Sequence, residues 1–275
     1  MVFGYLGAKI IKKEKNNHYI CIMRYLKPRP VKDIAVAVVF LGVLLLLVFS
    51  AVWAYREYLT TPPYVDEMKY PVRGIDISRH NGDIDFAKVA DSGIEFVFIK
   101  ASEGVNHRDS LFSRNLERAK RAGLKTGAYH FFRFDREGVD QALNFLEVVG
   151  SQPTDLGLVI DVENTGNPEG FPEEEVKKRL TSMVEYMNLL GYRVMIYTNI
   201  DGYYDYIVDT LPGYPLWICR FQENPINAEW TFWQYDHHGK VNGIKGDVDL
   251  NAFCGTREDW ERFLQGEIWP YTAKQ

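Results

Sequence analysis

Gly157-Leu158-Val159-Ile160-Asp161-Val162-Glu163-Asn164-Thr165-Gly166 is an apolar run that suddenly delivers two carboxylates. A short stretch of this kind, bounded by glycines, reads as a buried strand. Residues two apart in a strand project to the same face, roughly 6.5 to 7 Å apart along the backbone. Asp161 and Glu163 would therefore point at one place where the strand leaves the core. Like charges held that close cannot both ionise freely, so one pKa should rise. A carboxylic acid kept protonated beside an ionised one is the arrangement that cleaves glycosidic bonds. Acids at a strand end also cap helices, so the surrounding sequence has to decide.

Outward from this strand, apolar stretches alternate with amphipathic ones. Candidate strands are residues 74–78, 96–101, 125–131, 158–162 and 193–198. Helical periodicity falls between them at 111–122, ending at Gly123, at 139–149, and from Pro172 to Gly191. This alternation is the signature of an α/β fold with a parallel sheet. After Thr198 the rhythm changes: 216–219, 231–235 and 248–252 read as strands joined by loops or short helices. Eight parallel or nearly parallel strands close most economically into a barrel, which leaves no exposed edge. The expected fold is thus an irregular (β/α) barrel of eight strands, five βα units followed by three strands, preceded by one N-terminal transmembrane helix. In such barrels chemistry gathers at the C-terminal ends of the strands.

That rule selects four acids: Asp76 on the first strand, Asp161 and Glu163 at the end of the fourth, and Asp249 on the last. If the last strand closes against the first, Asp76 and Asp249 become neighbours. Four carboxylates around one mouth are costly without a task. The ordered segments Gly74-Ile-Asp-Ile-Ser78, Phe98-Ile-Lys-Ala-Ser-Glu-Gly104, Gly127-Ala-Tyr-His-Phe131, Asp161-Val-Glu163, Tyr197-Thr-Asn199, Trp217, Trp233-Gln-Tyr235 and Asp249-Leu-Asn251 resemble those of glycoside hydrolase family 25 lysozymes over roughly residues 72 to 265. The resemblance implies an N-acetylmuramidase that cuts the β-1,4 bond between N-acetylmuramic acid and N-acetylglucosamine in peptidoglycan, without a cofactor. It implies Glu163 as general acid/base, Asp161 as its partner acid, and Asp76 and Asp249 as flanking acids. Whether the intermediate is covalent or substrate-assisted is left open.

Tyr129, Tyr197, Trp217, Trp233 and Tyr235 stand on or beside strand ends, where aromatic faces can stack on sugars or simply pack the core. Trp233 and Tyr235 share a face and stand or fall together. Glu103 can bind sugar hydroxyls or cap a turn, and Asn251 can orient Asp249 or anchor a turn. His130 alternates out of phase with Tyr129 and Phe131 and reads as a structural histidine. Arg79-His80-Asn81-Gly82 departs from the family pattern and puts the edge of the groove in doubt. A glycan-binding protein without cleavage competes with the enzyme reading. A chitinase-like barrel ranks lower, because Leu158, Val159 and Ile160 replace the longer acidic series expected there.

Upstream, no charged residue occurs from Ile34 to Tyr55, a stretch long enough to cross a bilayer. Residues 1–33 read as a basic cytoplasmic leader, 34–54 as the transmembrane helix, 55–71 as a proline-containing linker and 72–275 as the barrel. Eight basic residues in the leader against Glu14 and Asp33 keep the N-terminus inside and place the barrel on the outer (periplasmic or extracellular) face. A cleaved signal peptide competes, but the apolar run and leader are long for one. Trp53, Tyr55 and Tyr58 suit an interfacial belt. With a formal net charge of −5 overall, the chain beyond the leader carries about −11, which excludes a nucleic-acid surface. The expected partners are peptidoglycan strands and the membrane. Cys219 and Cys254 could pair, with Cys21 left inside. No metal-ligand spacing appears among the six histidines and three cysteines.

Overall fold

The computed structural model describes residues 31–60, 65–221 and 229–267, as two separate units. The basic leader to residue 30, with Cys21, lies outside the described residues, as does the side chain of Tyr58. The first unit contains α1 (Val31–Thr60), in which Lys32–Glu57 holds an 18-residue window of mean hydropathy 3.0 with no buried residue. It is a long apolar helix of the kind that serves either as a signal sequence or as an anchor.

The second unit is an eight-stranded mixed barrel. Its strands are β1 (Arg73–Ile77), β2 (Ile94–Glu103), β4 (Lys125–Phe131), β5 (Leu158–Asp161), β6 (Val194–Asn199), β7 (Leu216–Cys219), β8 (Phe232–Gly239) and β9 (Val248–Phe253), while the two-residue β3 (His107–Arg108) pairs only with the end of β2. Seven barrel strands run parallel. The eighth, β9, is antiparallel to both β8 and β1, which corrects the expectation of parallel or nearly parallel strands throughout. Only eight residues separate β8 from β9, too few for a crossover helix, so the chain turns back as a hairpin.

Four helices lie along the chain between β1 and β6: α2 (Phe86–Asp91), α3 (Phe112–Arg121), α4 (Gly138–Val149) and α5 (Glu173–Leu189). They bury their apolar faces on the outward residues of β1, β2, β4, β5 and β6, such as Ile77, Ile99, Ile160 and Ile196. After β6 comes a short turn, α6 (Ile200–Gly202), continued as a π-helical turn Tyr203–Ile207. The terminal helix α7 (Arg257–Gln265) begins with a Thr256/Asp259 capping box and plugs the N-terminal end of the barrel with Trp260 and Phe263. These pack on Phe96, Phe232 and Phe253 at ring separations of 5.1 to 6.3 Å. Gly74 and Gly127 make room for that interior, because a Cβ at either would lie 2.3 Å from the rings of Phe96 or Phe98.

Among the described residues no long helix covers the outer faces of β7, β8 and β9, against which only Ile200 and Tyr203 of the short turns after β6 pack. The incoming chain covers them instead: Val65 and Tyr70 are buried against Trp230 and Trp233. The helix runs to Thr60, and Val65 is already buried in the second unit.

Candidate active site

Seven strands deliver their C-terminal ends to one mouth, and β9 enters from the opposite direction. There a cleft of about 200 Å³ is lined by Asp76, Tyr129, Asp161, Glu163, Tyr197, Trp217, Gln234 and Asp249. All four acids singled out from sequence are therefore brought together. Asp161 is the last residue of β5, and Glu163 follows two positions later on the same side. The exit of that strand is tied down by local bonds: Val162 N–H donates to Tyr197 O at 2.9 Å, Thr198 Oγ1 donates to Val162 O at 2.6 Å, and Asn167 Nδ2 donates to Glu163 O at 2.9 Å. Closure of β9 on β1 sets Asp249 directly opposite Asp76.

Asp76 is the hub of a buried network. Gln234 Nε2 and Asn251 Nδ2 donate to its Oδ2 at 2.8 and 2.9 Å. Tyr197 OH in turn donates to Gln234 Oε1, and Trp217 Nε1 to Asn251 Oδ1, both at 2.8 Å. Burial raises the Asp76 carboxyl above its ordinary value, while its three donors, Asn251, Gln234 and Asp249, pull it back. Burial, the Asp76 charge and the hydrogen bond to Asp76 push Asp249 up to about 9. Asp249 is therefore protonated at neutral pH and donates to Asp76.

The second pair has no such donors. Burial and then the charge of Glu163 raise Asp161 well above the usual carboxylate range. Its Oδ1 is buried with no hydrogen-bond partner. Burial, followed by the Asp76 charge, pushes Glu163 up to about 7, and the Lys100 ammonium acts against both shifts. Two desolvated carboxyls, one raised further by the charge of the other, retain at least one proton between them at neutral pH. The arrangement can hold an acidic proton beside an unpaired acceptor, the requirement for protonating a leaving oxygen.

The other residues expected at the site divide into two groups. Tyr129 and Tyr197 line the cleft, and Trp217, 2 % exposed, forms its floor on Phe98 at a ring separation of 4.3 Å. Asn251 is fully buried below the lining as a support for Asp76 and Trp217. Glu103 stands off the lining, tied to Lys100 at 2.9 Å and Arg133 at 3.8 Å. Trp233 and Tyr235 are not in the cleft, which corrects their assignment to substrate. They face outward, where they take the place of a missing helix: Trp233 packs on Tyr70 and donates Nε1 to Arg220 O at 2.8 Å. Between them Gln234 faces inward, and sequence reasoning missed it, as it missed Lys100.

His130 is fully buried between Ser102 Oγ (2.8 Å) and Gln141 Oε1 (3.3 Å), and burial lowers it to about 4, so it is neutral and structural. Cys219 and Cys254 are free thiols rather than a pair, since one lies with the interior cluster and the other with the exterior one. Among the described residues no group of three or more His, Cys, Asp or Glu is placed to hold a metal ion.

The family model described as glycosyl hydrolases family 25 matches residues 75–244. The chain is 36 % identical over 206 residues to the uncharacterized protein YegX of Escherichia coli K12, covering 72 % of this chain and 75 % of the relative. It is 34 % identical over 206 residues to lysozyme M1 of Streptomyces globisporus, covering 67 % and 68 %. The solved structure of a family 25 glycosyl hydrolase from Bacillus anthracis superposes with a TM-score of 0.67 at 36 % identity, covering 73 % of this chain and 96 % of that one.

Proposed function

The chain belongs to the family 25 glycosyl hydrolases, and from that premise we propose that its cleft hydrolyses the β-1,4 bond between N-acetylmuramic acid and N-acetylglucosamine in peptidoglycan. The observation that carries the reading is Glu163, raised to about 7 beside an Asp161 whose Oδ1 has no partner. Glu163 gives its proton to the glycosidic oxygen as the C1–O bond breaks. Asp161 turns its unpaired oxygen to the sugar and stabilises the positive charge that develops at the anomeric carbon. Water then adds to C1 and returns a proton to Glu163. General acid–base catalysis of this kind contributes about 10²- to 10⁴-fold.

Asp76 and protonated Asp249 act as a fixed polar wall, with Gln234 and Asn251 holding Asp76 in place. Tyr129 and Tyr197 present ring and hydroxyl groups to the sugar, over the Trp217 floor. No cofactor takes part. The apolar helix is a retained anchor rather than a signal: residues 1–33 stay in the cytoplasm, 34–54 span the bilayer, and the barrel works on the outer face against nearby cell wall.

The test uses the full chain in detergent beside its Glu163→Gln variant, incubated with purified peptidoglycan. Mass spectrometry should find muropeptides ending in reducing N-acetylmuramic acid from the wild type alone. Products from both proteins, or reducing N-acetylglucosamine ends, refute the assignment; binding without products from either supports a purely glycan-binding role. The intact mass of the protein recovered from membranes tests the anchor, which is lost if the first 54 or so residues are missing.

A further inference from the structure

The turn after β1, on the end of the barrel where the cleft opens, carries a cation that the cleft chemistry does not use. Directly after β1, Arg79–Asn81 forms a 3₁₀ turn that is held in place from several sides. Ser78 N–H donates to Asn81 Oδ1 at 2.9 Å, and His80 N–H to Ser78 Oγ at 3.2 Å. The buried Asp109 accepts from Arg79 N–H and Leu111 N–H, both at 2.8 Å, and so ties the exit of β1 to the chain that follows β3.

The exposed Arg79 side chain therefore projects from a rigid base three residues beyond Asp76. Its Nη1 lies 3.1 Å from His107 Nε2. A guanidinium only donates, so His107 Nε2 is the acceptor in that contact. Nε and Nη2 remain available, the two-pronged edge that fits a carboxylate. Among the described residues no carboxylate stands within ion-pair distance of the Arg79 guanidinium. Glu103, across from His107 in the β2–β3 pairing, is already engaged by Lys100 and Arg133.

We propose that the Arg79 guanidinium, oriented by His107 on the pinned turn after β1, is a subsite for a carboxylate carried by the muramyl side chain of the glycan. The proposal rests on the peptidoglycan reading above and names what that site selects. The charge that remains on the cleft acids repels an anionic polymer, and a fixed cation on the turn after β1 offsets the repulsion where the substituent passes. The carboxylate has two sources: the lactyl group of a muramyl residue without peptide, or the stem peptide attached to that group.

Three preparations of glycan strands separate the sources: strands with stem peptides, strands from which the peptides have been removed to leave lactyl carboxylates, and the latter with carboxylates converted to amides. Dissociation constants are measured in the Glu163→Gln background, with and without Arg79→Gln, so that binding is read without turnover. Arg79→Gln should weaken binding of charged strands about three- to fivefold, as expected of one exposed ion pair. The difference should vanish on amidated strands and at about 0.5 M salt. Arg79→Lys, which keeps the charge but loses the fork, should fall between. Loss only on the peptide-free strands assigns the lactyl carboxylate, loss only on peptide-bearing strands assigns the stem peptide, and loss on both shows that the guanidinium takes either carboxylate. Equal binding by Arg79→Gln and its parent on every preparation, or an equal loss on amidated strands, overturns the subsite. Failure of the wild type to release products from any preparation refutes the hydrolase reading alone and leaves this binding result standing.

Discussion

Glu163→Gln should stabilise the barrel at alkaline pH while abolishing turnover. In the folded protein the Glu163 carboxyl is raised from its ordinary 4.5 to about 7, first by burial and then by the Asp76 charge. An acid whose folded pKa lies above its unfolded one binds its proton more tightly when folded. Stability linked to it is therefore fully present below about 4.5 and is lost as pH rises through 7. At about 1.4 kcal/mol per unit the loss amounts to about 3 kcal/mol. Gln is neutral throughout and nearly the same shape, so it escapes the loss. The variant should match the wild type at pH 4 and exceed it by about 3 kcal/mol at pH 8, or about 6 to 12 °C in Tm for a domain of this size. His130, lowered to about 4 by burial, loses stability in the opposite direction, as pH falls below 6.5. Asp249 titrates higher still. His130 does not feel the Glu163 charge and cancels in the difference, whereas that charge helps to raise Asp161 and Asp249, so its removal eases both and widens the gap at high pH. Urea unfolding of the two proteins at unit intervals from pH 4 to 9 measures the gap. A gap that stays flat with pH, or a variant less stable than wild type at pH 8, would falsify the claim that Glu163 is held protonated by its surroundings.

Asn251→Leu removes a donor to Asp76 and the acceptor for Trp217 Nε1. Leaving both groups short of a partner in the interior should cost about 3 kcal/mol, seen as a lower urea midpoint. Trp233→Phe and Tyr235→Phe should lower Tm but leave KM for glycan unchanged, whereas Tyr129→Ala should raise KM, as steady-state kinetics would show. Because Cys219 and Cys254 are free and burial raises both thiols, Cys254 up to about 12, a reducing agent should not move Tm. Both should resist maleimide until the protein is denatured, which peptide mapping of labelled sites checks.

What could be read from the sequence follows from what is local. β7 begins and ends where its apolar run does, because Pro215 and Arg220 bound it and it is buried on both faces. Asp161 and Glu163 were visible for the same reason: two acids at the end of a strand too apolar to carry them elsewhere. Asp249 was legible only through a topological step, closure of the last strand on the first. The direction of that strand was not, since residue spacing within β9 is the same whichever way it runs. The capped helix α7 was missed although its Thr256/Asp259 box is a local signal.

β8 shows why the remainder was hidden. Its residues alternate Phe232 inward, Trp233 outward, Gln234 inward and Tyr235 outward, yet all four are nearly fully buried. Hydrophobicity therefore cannot tell the axis side from the outer side. The outer side is dry because Val65 and Tyr70 lie over it, and these come from a segment some 160 residues upstream whose prolines made it look like a tether. Without that cover, Trp233 and Tyr235 would be exposed aromatics at a strand end, the very pattern expected of a sugar platform. The one residue that distinguishes the faces is Gln234. An amide between two aromatics in an apolar strand must find partners, and only the axis side, with Asp76 and Tyr197, supplies both an acceptor and a donor. In a closed barrel covered on both faces, the polar residue reveals which face holds the chemistry, and the large aromatics beside it show only that the other face is covered.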